Sequence, residues 1–146
     1  MIVAIDNVKS NKGGPFGCVI TKNDTIIGIG SNKVTTLNDP TAHAEVCAIR
    51  EACKTVGHFS LEGCVMYTSC EPCPMCLSAI YWARIKKVYY CNTRHDANSI
   101  GFDDAFIYDE FKKENKDKSI ELTRIDSPFK DKPFSLWNKS KQKTKY

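Results

Sequence analysis

Cys64-Val65-Met66-Tyr67-Thr68-Ser69-Cys70-Glu71-Pro72-Cys73-Pro74-Met75-Cys76, running on to Ile85-Lys86-Lys87-Val88-Tyr89-Tyr90-Cys91, is the stretch that decides the fold. Cys64 to Ser69 is a short β-rich run, and Pro74 suits the first turn of a helix because its missing N–H has no partner there to lose. Pro74 to Ala83 is therefore expected to be helical, and Ile85 to Cys91 reads as the next strand. Strand, helix and strand in this order make a crossover unit, which belongs to a layered α/β architecture.

Upstream, Ala42 to Val56 is rich in helix formers. Ala44, Cys47 and Ala48 fall on one side and Val46, Ile49 and Cys53 on another, so the helix is expected to be largely buried. Phe16 to Thr21 and Thr25 to Ser31 flank Lys22-Asn23-Asp24, which reads as a β-hairpin. Residues 2 to 10 suit a short helix that stops before Lys12-Gly13-Gly14-Pro15. Downstream, Asp103 to Lys112 is expected to be a helix and Ser119 to Ile125 a last strand. The tail beyond carries Phe129, Phe134, Leu136 and Trp137, too many large apolar groups for a purely disordered segment. The expected fold is a three-layer α/β/α sandwich with a mixed sheet, in one domain over residues 1 to 146, the commonest domain size.

Hydrophobic residues are 42% and charged residues 26% of the 146, an ordinary globular balance. No apolar run approaches the roughly 20 residues needed to span a bilayer. Met1-Ile2-Val3-Ala4-Ile5-Asp6 lacks a basic leader, so a cytoplasmic location is expected. In that reducing setting the eight cysteines are expected to stay unpaired, the clustered ones serving chemistry and Cys18, Cys47, Cys53, Cys64 and Cys91 filling the core. Positive charge is concentrated at the C-terminus, where residues 112 to 146 hold 11 Lys and Arg against 5 Asp and Glu. Such a run reads first as a solvated surface, with phosphate contact as the alternative.

The chemistry gathers at two predicted helix starts. Pro72-Cys73-Pro74-Met75-Cys76 puts two thiols three residues apart, where the helix N-terminus favours thiolate. His43-Ala44-Glu45 lies at the other. Zinc prefers four tetrahedral ligands, and a catalytic zinc takes only three from protein and leaves the fourth to water. His43, Cys73 and Cys76 supply three, and Glu45 is placed to handle protons. Cys70 also makes a Cys-x2-Cys-x2-Cys run that opens some iron–sulfur motifs, but Ile80 and Tyr81 stand where the closing Cys-Pro should fall. Cys70 is read instead as a wall of the pocket. A structural zinc module that binds nucleic acid would need a fourth protein ligand, and His58 and His95 lie apart from the two motifs.

His-x-Glu followed by Pro-Cys-x-x-Cys is the known signature of zinc nucleobase deaminases. With Gly13-Gly14-Pro15-Phe16-Gly17, Asn38-Asp39-Pro40-Thr41-Ala42-His43-Ala44-Glu45, Ala79-Ile80-Tyr81-Trp82-Ala83-Arg84 and Gly101-Phe102-Asp103-Asp104-Ala105-Phe106-Ile107-Tyr108, the chain resembles the cytidine deaminase superfamily, specifically its bacterial guanine deaminases. The resemblance implies a five-stranded mixed sheet, one zinc per chain, and hydrolysis of guanine to xanthine and ammonia. It implies that Phe16 stacks on the purine, Asn32 hydrogen-bonds its edge, and Asp104 orients the ring or relays protons. On their own residues, Phe16 also suits a core, Asn32 a strand-end turn and Asp104 a helix start. The resemblance further implies a homodimer exchanging C-terminal segments from about residue 125, with Tyr146 closing the neighbouring pocket. A tRNA adenosine deaminase shares the zinc motif, and the basic tail would suit it, but carboxylates near the substrate favour a phosphate-free base.

Overall fold

The computed structural model describes residues 1–102 and 104–146. The chain divides into two compact units, Met1–Tyr108 and Asp109–Tyr146. In the first, helix α1 (Ile2–Lys9) precedes strands β1 (Gly17–Lys22) and β2 (Thr25–Ser31), and a single turn α2 (Val34–Leu37) leads to α3 (Ala44–Val56). Strand β3 (Val65–Cys70), helix α4 (Pro74–Trp82), strand β4 (Lys87–Asn92) and α5 (Arg94–Ser99) follow. Helix α6 (Ala105–Lys112) crosses the boundary, and the second unit holds a 3-10 turn (Asn115–Asp117) and α7 (Lys132–Lys139).

The strands form one mixed sheet in the order β2-β1-β3-β4. β1 runs antiparallel to β2 and to β3, while β3 and β4 are parallel. Asn23 and Asp24 take positive φ at the tip of the β1–β2 hairpin, a left-handed conformation that short polar side chains tolerate. The crossover is as expected, because parallel neighbours need a helix between them.

Glycine decides how closely α3 approaches the sheet. Gly30 and Gly28 pair with Cys18 and Ile20, and a Cβ at Gly30 would lie 2.0 Å from the Ala44 carbonyl oxygen. Ala44, Ala48 and Ala52 form the matching face of α3 and are wholly buried with Ile20, Leu61 and Met66. Side chains alternate across a strand. Gly17, one step from Cys18, accordingly faces α1, and a Cβ there would meet the Ala4 nitrogen at 2.7 Å. Helices thus cover both faces of the sheet, and the bare backbone at Gly30 brings the start of α3 down onto it.

Two expectations are corrected. Among the described residues the sheet has four strands, and no fifth forms over Ser119 to Ile125. Ile120, Leu122 and Ile125 alternate suitably but are exposed, and the Ser119 N–H and hydroxyl donate to Glu110 Oε2 at 2.7 and 2.9 Å in place of a strand partner. An alternating pattern makes a strand only where a neighbouring edge supplies the ladder. Among the expected core thiols, Cys18 and Cys64 are buried, Cys47 and Cys53 partly so, and Cys91 is exposed because it lies on the edge strand β4. The helix expected from Asp103 begins at Ala105, and Asp103 itself lies outside the described residues.

Candidate active site

Both ligand motifs sit at helix N-caps. His43 caps α3 and Cys73 caps α4, each with extended backbone, and Pro74 occupies the first turn of α4. An N-cap residue points its side chain back toward the free N–H groups of the first turn. Cys73 Sγ accepts the Cys76 N–H at 3.5 Å in this way. His43 Nδ1 lies 3.6 Å from Cys73 Sγ and 3.5 Å from Cys76 Sγ, and all three ligand atoms fall within 4.8 Å of one another.

Those separations suit zinc. Bonds of about 2.3 Å to sulfur and about 2.0 Å to nitrogen at a tetrahedral angle place the two ligand atoms roughly 3.5 Å apart. The electrostatics agree with the donor set. Hydrogen bonding to the Cys76 side chain, then to His43, pulls the Cys73 thiol down to about 4, and the same contact with Cys73 raises Cys76. The surroundings thus favour the thiolate at Cys73, and its hydrogen bond raises His43 in turn.

Glu45 stands beside this group with only 5% of its surface exposed. The Thr68 hydroxyl donates to Oε1 at 3.0 Å and the Cys76 thiol to Oε2 at 3.4 Å. Burial raises its carboxyl above the usual range, which suits a group that must both take and give a proton near neutrality.

The three ligand residues and Glu45 meet at a cavity of about 470 Å³, a size for a small molecule, and His43, Glu45 and Cys73 lie in its wall. Residues 1–92 match the zinc-binding region of cytidine and deoxycytidylate deaminases. The chain belongs to this zinc-dependent deaminase family. Within it, the chain is 50% identical to the guanine deaminase of Bacillus subtilis (strain 168), over 99% of this chain and 92% of that one. The X-ray structure of guanine deaminase from Bacillus subtilis superposes with a TM-score of 0.96 over the same shares. A tRNA-specific adenosine deaminase of Aquifex aeolicus (strain VF5) is 47% identical, but over only 52% of this chain and 50% of its own length.

In this deaminase, Phe16, Asn32 and Asp104 all line the cavity, while Tyr146 belongs to the second unit. Asn32 Oδ1 accepts the N–H groups of Gly14 at 3.4 Å and Val34 at 3.3 Å. The amide oxygen is thereby engaged, which leaves Nδ2 as the group offered to a ligand. Asp104 Oδ1 is buried and has no hydrogen-bond partner among the described residues, and burial raises its carboxyl. An unpartnered buried oxygen in a cavity wall is a place for a ligand donor. Cys70 is a wall residue as expected, its thiol donating to the Thr93 carbonyl at 3.4 Å.

Two contributions lay beyond sequence reading. Phe102 packs edge-on against Phe16 at 4.8 Å between centroids and completes that wall. The Arg94 guanidinium pairs with Glu71 through hydrogen bonds of 2.8 and 3.3 Å, the Arg94 backbone N–H adds a third at 3.1 Å, and the guanidinium lies 4.3 Å over the Tyr108 ring, whose hydroxyl donates to the Pro72 carbonyl at 2.9 Å. The loop just before Cys73 is held from both sides. Only the Thr93-x-x-Asp96 capping box at the start of α5 was visible as a local signal for Arg94.

Proposed function

We propose that this chain hydrolyses guanine to xanthine and ammonia. The observation that carries the reading is the 50% identity to a guanine deaminase across 99% of the chain, where the tRNA-specific relative matches half. The donor pattern of the cavity supports it. Asn32 Nδ2 offers a donor and Asp104 Oδ1 an acceptor. Guanine presents acceptors at O6 and N7 and donors at N1 and its exocyclic amine, so both protein groups find partners on one base. Phe16 offers a ring for stacking, edge-supported by Phe102.

Zinc, when bound by His43, Cys73 and Cys76, supplies the Lewis acidity that makes a water molecule nucleophilic near neutral pH. Phe16, Asn32 and Asp104 hold the base so that C2 faces that water. Glu45 takes a proton from the water through Oε2, which loses its Cys76 donor when that thiol becomes a thiolate ligand, and delivers it to ring N3 as the new C2–O bond forms. Glu45 then takes the remaining hydroxyl proton and passes it to the exocyclic nitrogen. The C2–N bond breaks, ammonia leaves, and the carbonyl of xanthine remains. Supplying guanine, adenine, cytosine, cytidine and tRNA in turn should release ammonia from guanine. Release from tRNA and not from guanine would reverse the assignment.

We further infer a homodimer that exchanges its segments from about residue 125, with Tyr146 closing the pocket of the other subunit. Support comes from apolar surface that a lone chain leaves in water. Phe129, Phe134, Leu136 and Trp137 are exposed in the second unit, as are Tyr89 and Tyr90 on the edge strand. Sedimentation should give twice the chain mass, and Tyr146→Ala should raise KM for guanine. A fully active monomer would end the proposal.

A further inference from the structure

Asn7 lies on α1, outside the residues that line the cavity, and is buried to 4% exposure. Its side-chain nitrogen donates to the Gly14 carbonyl at 2.8 Å and to the Asn32 carbonyl at 2.9 Å. Both neighbours are acceptors, so only the amide nitrogen fits between them, and both of its hydrogens are used.

This changes how the β1–β2 ladder ends. The Asn32 N–H still donates to the Phe16 carbonyl at 3.1 Å, as a continuing antiparallel pair would. The second bond of that pair would bring the Phe16 N–H to the Asn32 carbonyl. Asn7 bridges that carbonyl and the Gly14 carbonyl, the Phe16 N–H turns to the Gly14 carbonyl at 2.8 Å, and the Gly14 N–H, so placed, reaches the Asn32 side-chain oxygen at 3.4 Å. The Val34 N–H joins it there. The Asn32 amide is thereby fixed oxygen-inward and nitrogen-outward. Gly13 belongs to the same arrangement, since a Cβ there would lie 2.3 Å from the Asn32 carbonyl oxygen and 3.0 Å from the Asn7 amide nitrogen.

We propose that Asn7 is a positioning residue for substrate choice: by bridging the Gly14 and Asn32 carbonyls it holds the Gly14 N–H on the Asn32 amide oxygen, so that the amide nitrogen faces the cavity and selects a base with an acceptor on its edge. The proposal rests on the reading that Asn32 meets the base. Hypoxanthine and purine serve as probes, because the first carries the 6-oxygen, the second lacks it, and neither has an exocyclic amine to lose. Equilibrium dialysis against the zinc-loaded protein should show hypoxanthine bound more tightly. In Asn7→Ala that affinity should fall about tenfold, the scale of one lost hydrogen bond, with purine changed by less than about twofold. A general loosening of the fold would weaken both probes alike, and that result overturns the proposal. Asn32→Ala separates the two ideas. If it leaves the preference for hypoxanthine intact, the edge reading fails and takes the Asn7 proposal with it; if it removes the preference while Asn7→Ala does not, the Asn7 proposal alone fails. Should Asn7→Ala not fold, Asn7→Ser, which keeps one donor, should lose part of the preference, and full retention there counts against the proposal.

Discussion

Glu45→Gln is expected to keep one zinc per chain and a near-normal melting temperature while losing at least about 10²- to 10⁴-fold in kcat, the range that general acid–base catalysis supplies. The substitution changes little in shape. Thr68 can still donate to an amide oxygen at the place where it now meets Oε1 at 3.0 Å, so the buried contact survives. What disappears is the ability to carry a proton from the water to the ring and then to the leaving amine. KM for guanine should move far less than kcat, because Phe16, Asn32 and Asp104 hold the base in the proposed complex and Glu45 does not. Steady-state ammonia release, zinc content by mass spectrometry and a thermal melt together test this. Near-normal turnover in the zinc-loaded variant would remove Glu45 from its role.

Much of this site was legible because its parts are local. A histidine before one helix and a Cys-x-x-Cys opening another need only short-range signals to become N-caps, and the caps then aim their side chains at one point. The crossover from β3 through α4 to β4 was legible for the same reason. The fifth strand was misread because strand formation depends on a neighbour distant in sequence, and the alternation of Ile120, Leu122 and Ile125 carries no information about that neighbour. Cys91 was misplaced by the same kind of fact, the position of β4 at an edge. Phe102 and Arg94 act through contacts with Phe16 and Glu71 that only the assembled fold creates. Asn7 is the extreme case. It is a polar residue on a short helix, and its meaning comes from two carbonyls, one of them 25 positions away.

Cys73→Ala should lose the metal and with it part of the fold. Cys73 has two tasks. Its sulfur is one of three ligand atoms, and it also accepts the Cys76 N–H at the first turn of α4. Losing a partner outside the ligand set typically costs about 10- to 100-fold in metal affinity, and losing a ligand should cost more. Loss of the cap adds about 1 kcal/mol of helix destabilisation. Cys73→Ser separates the effects, because a hydroxyl still caps the helix but is a poor ligand for zinc. Both variants should therefore purify with little zinc, and the serine variant should melt above the alanine variant. A chelator should lower the melting temperature of the unaltered protein toward that of the serine variant, since binding energy for a metal held only by the folded state adds to folding stability. One tightly held zinc per chain in Cys73→Ala would show that the ligand set is wrong, and equal melting of the two variants would show that the cap contributes nothing.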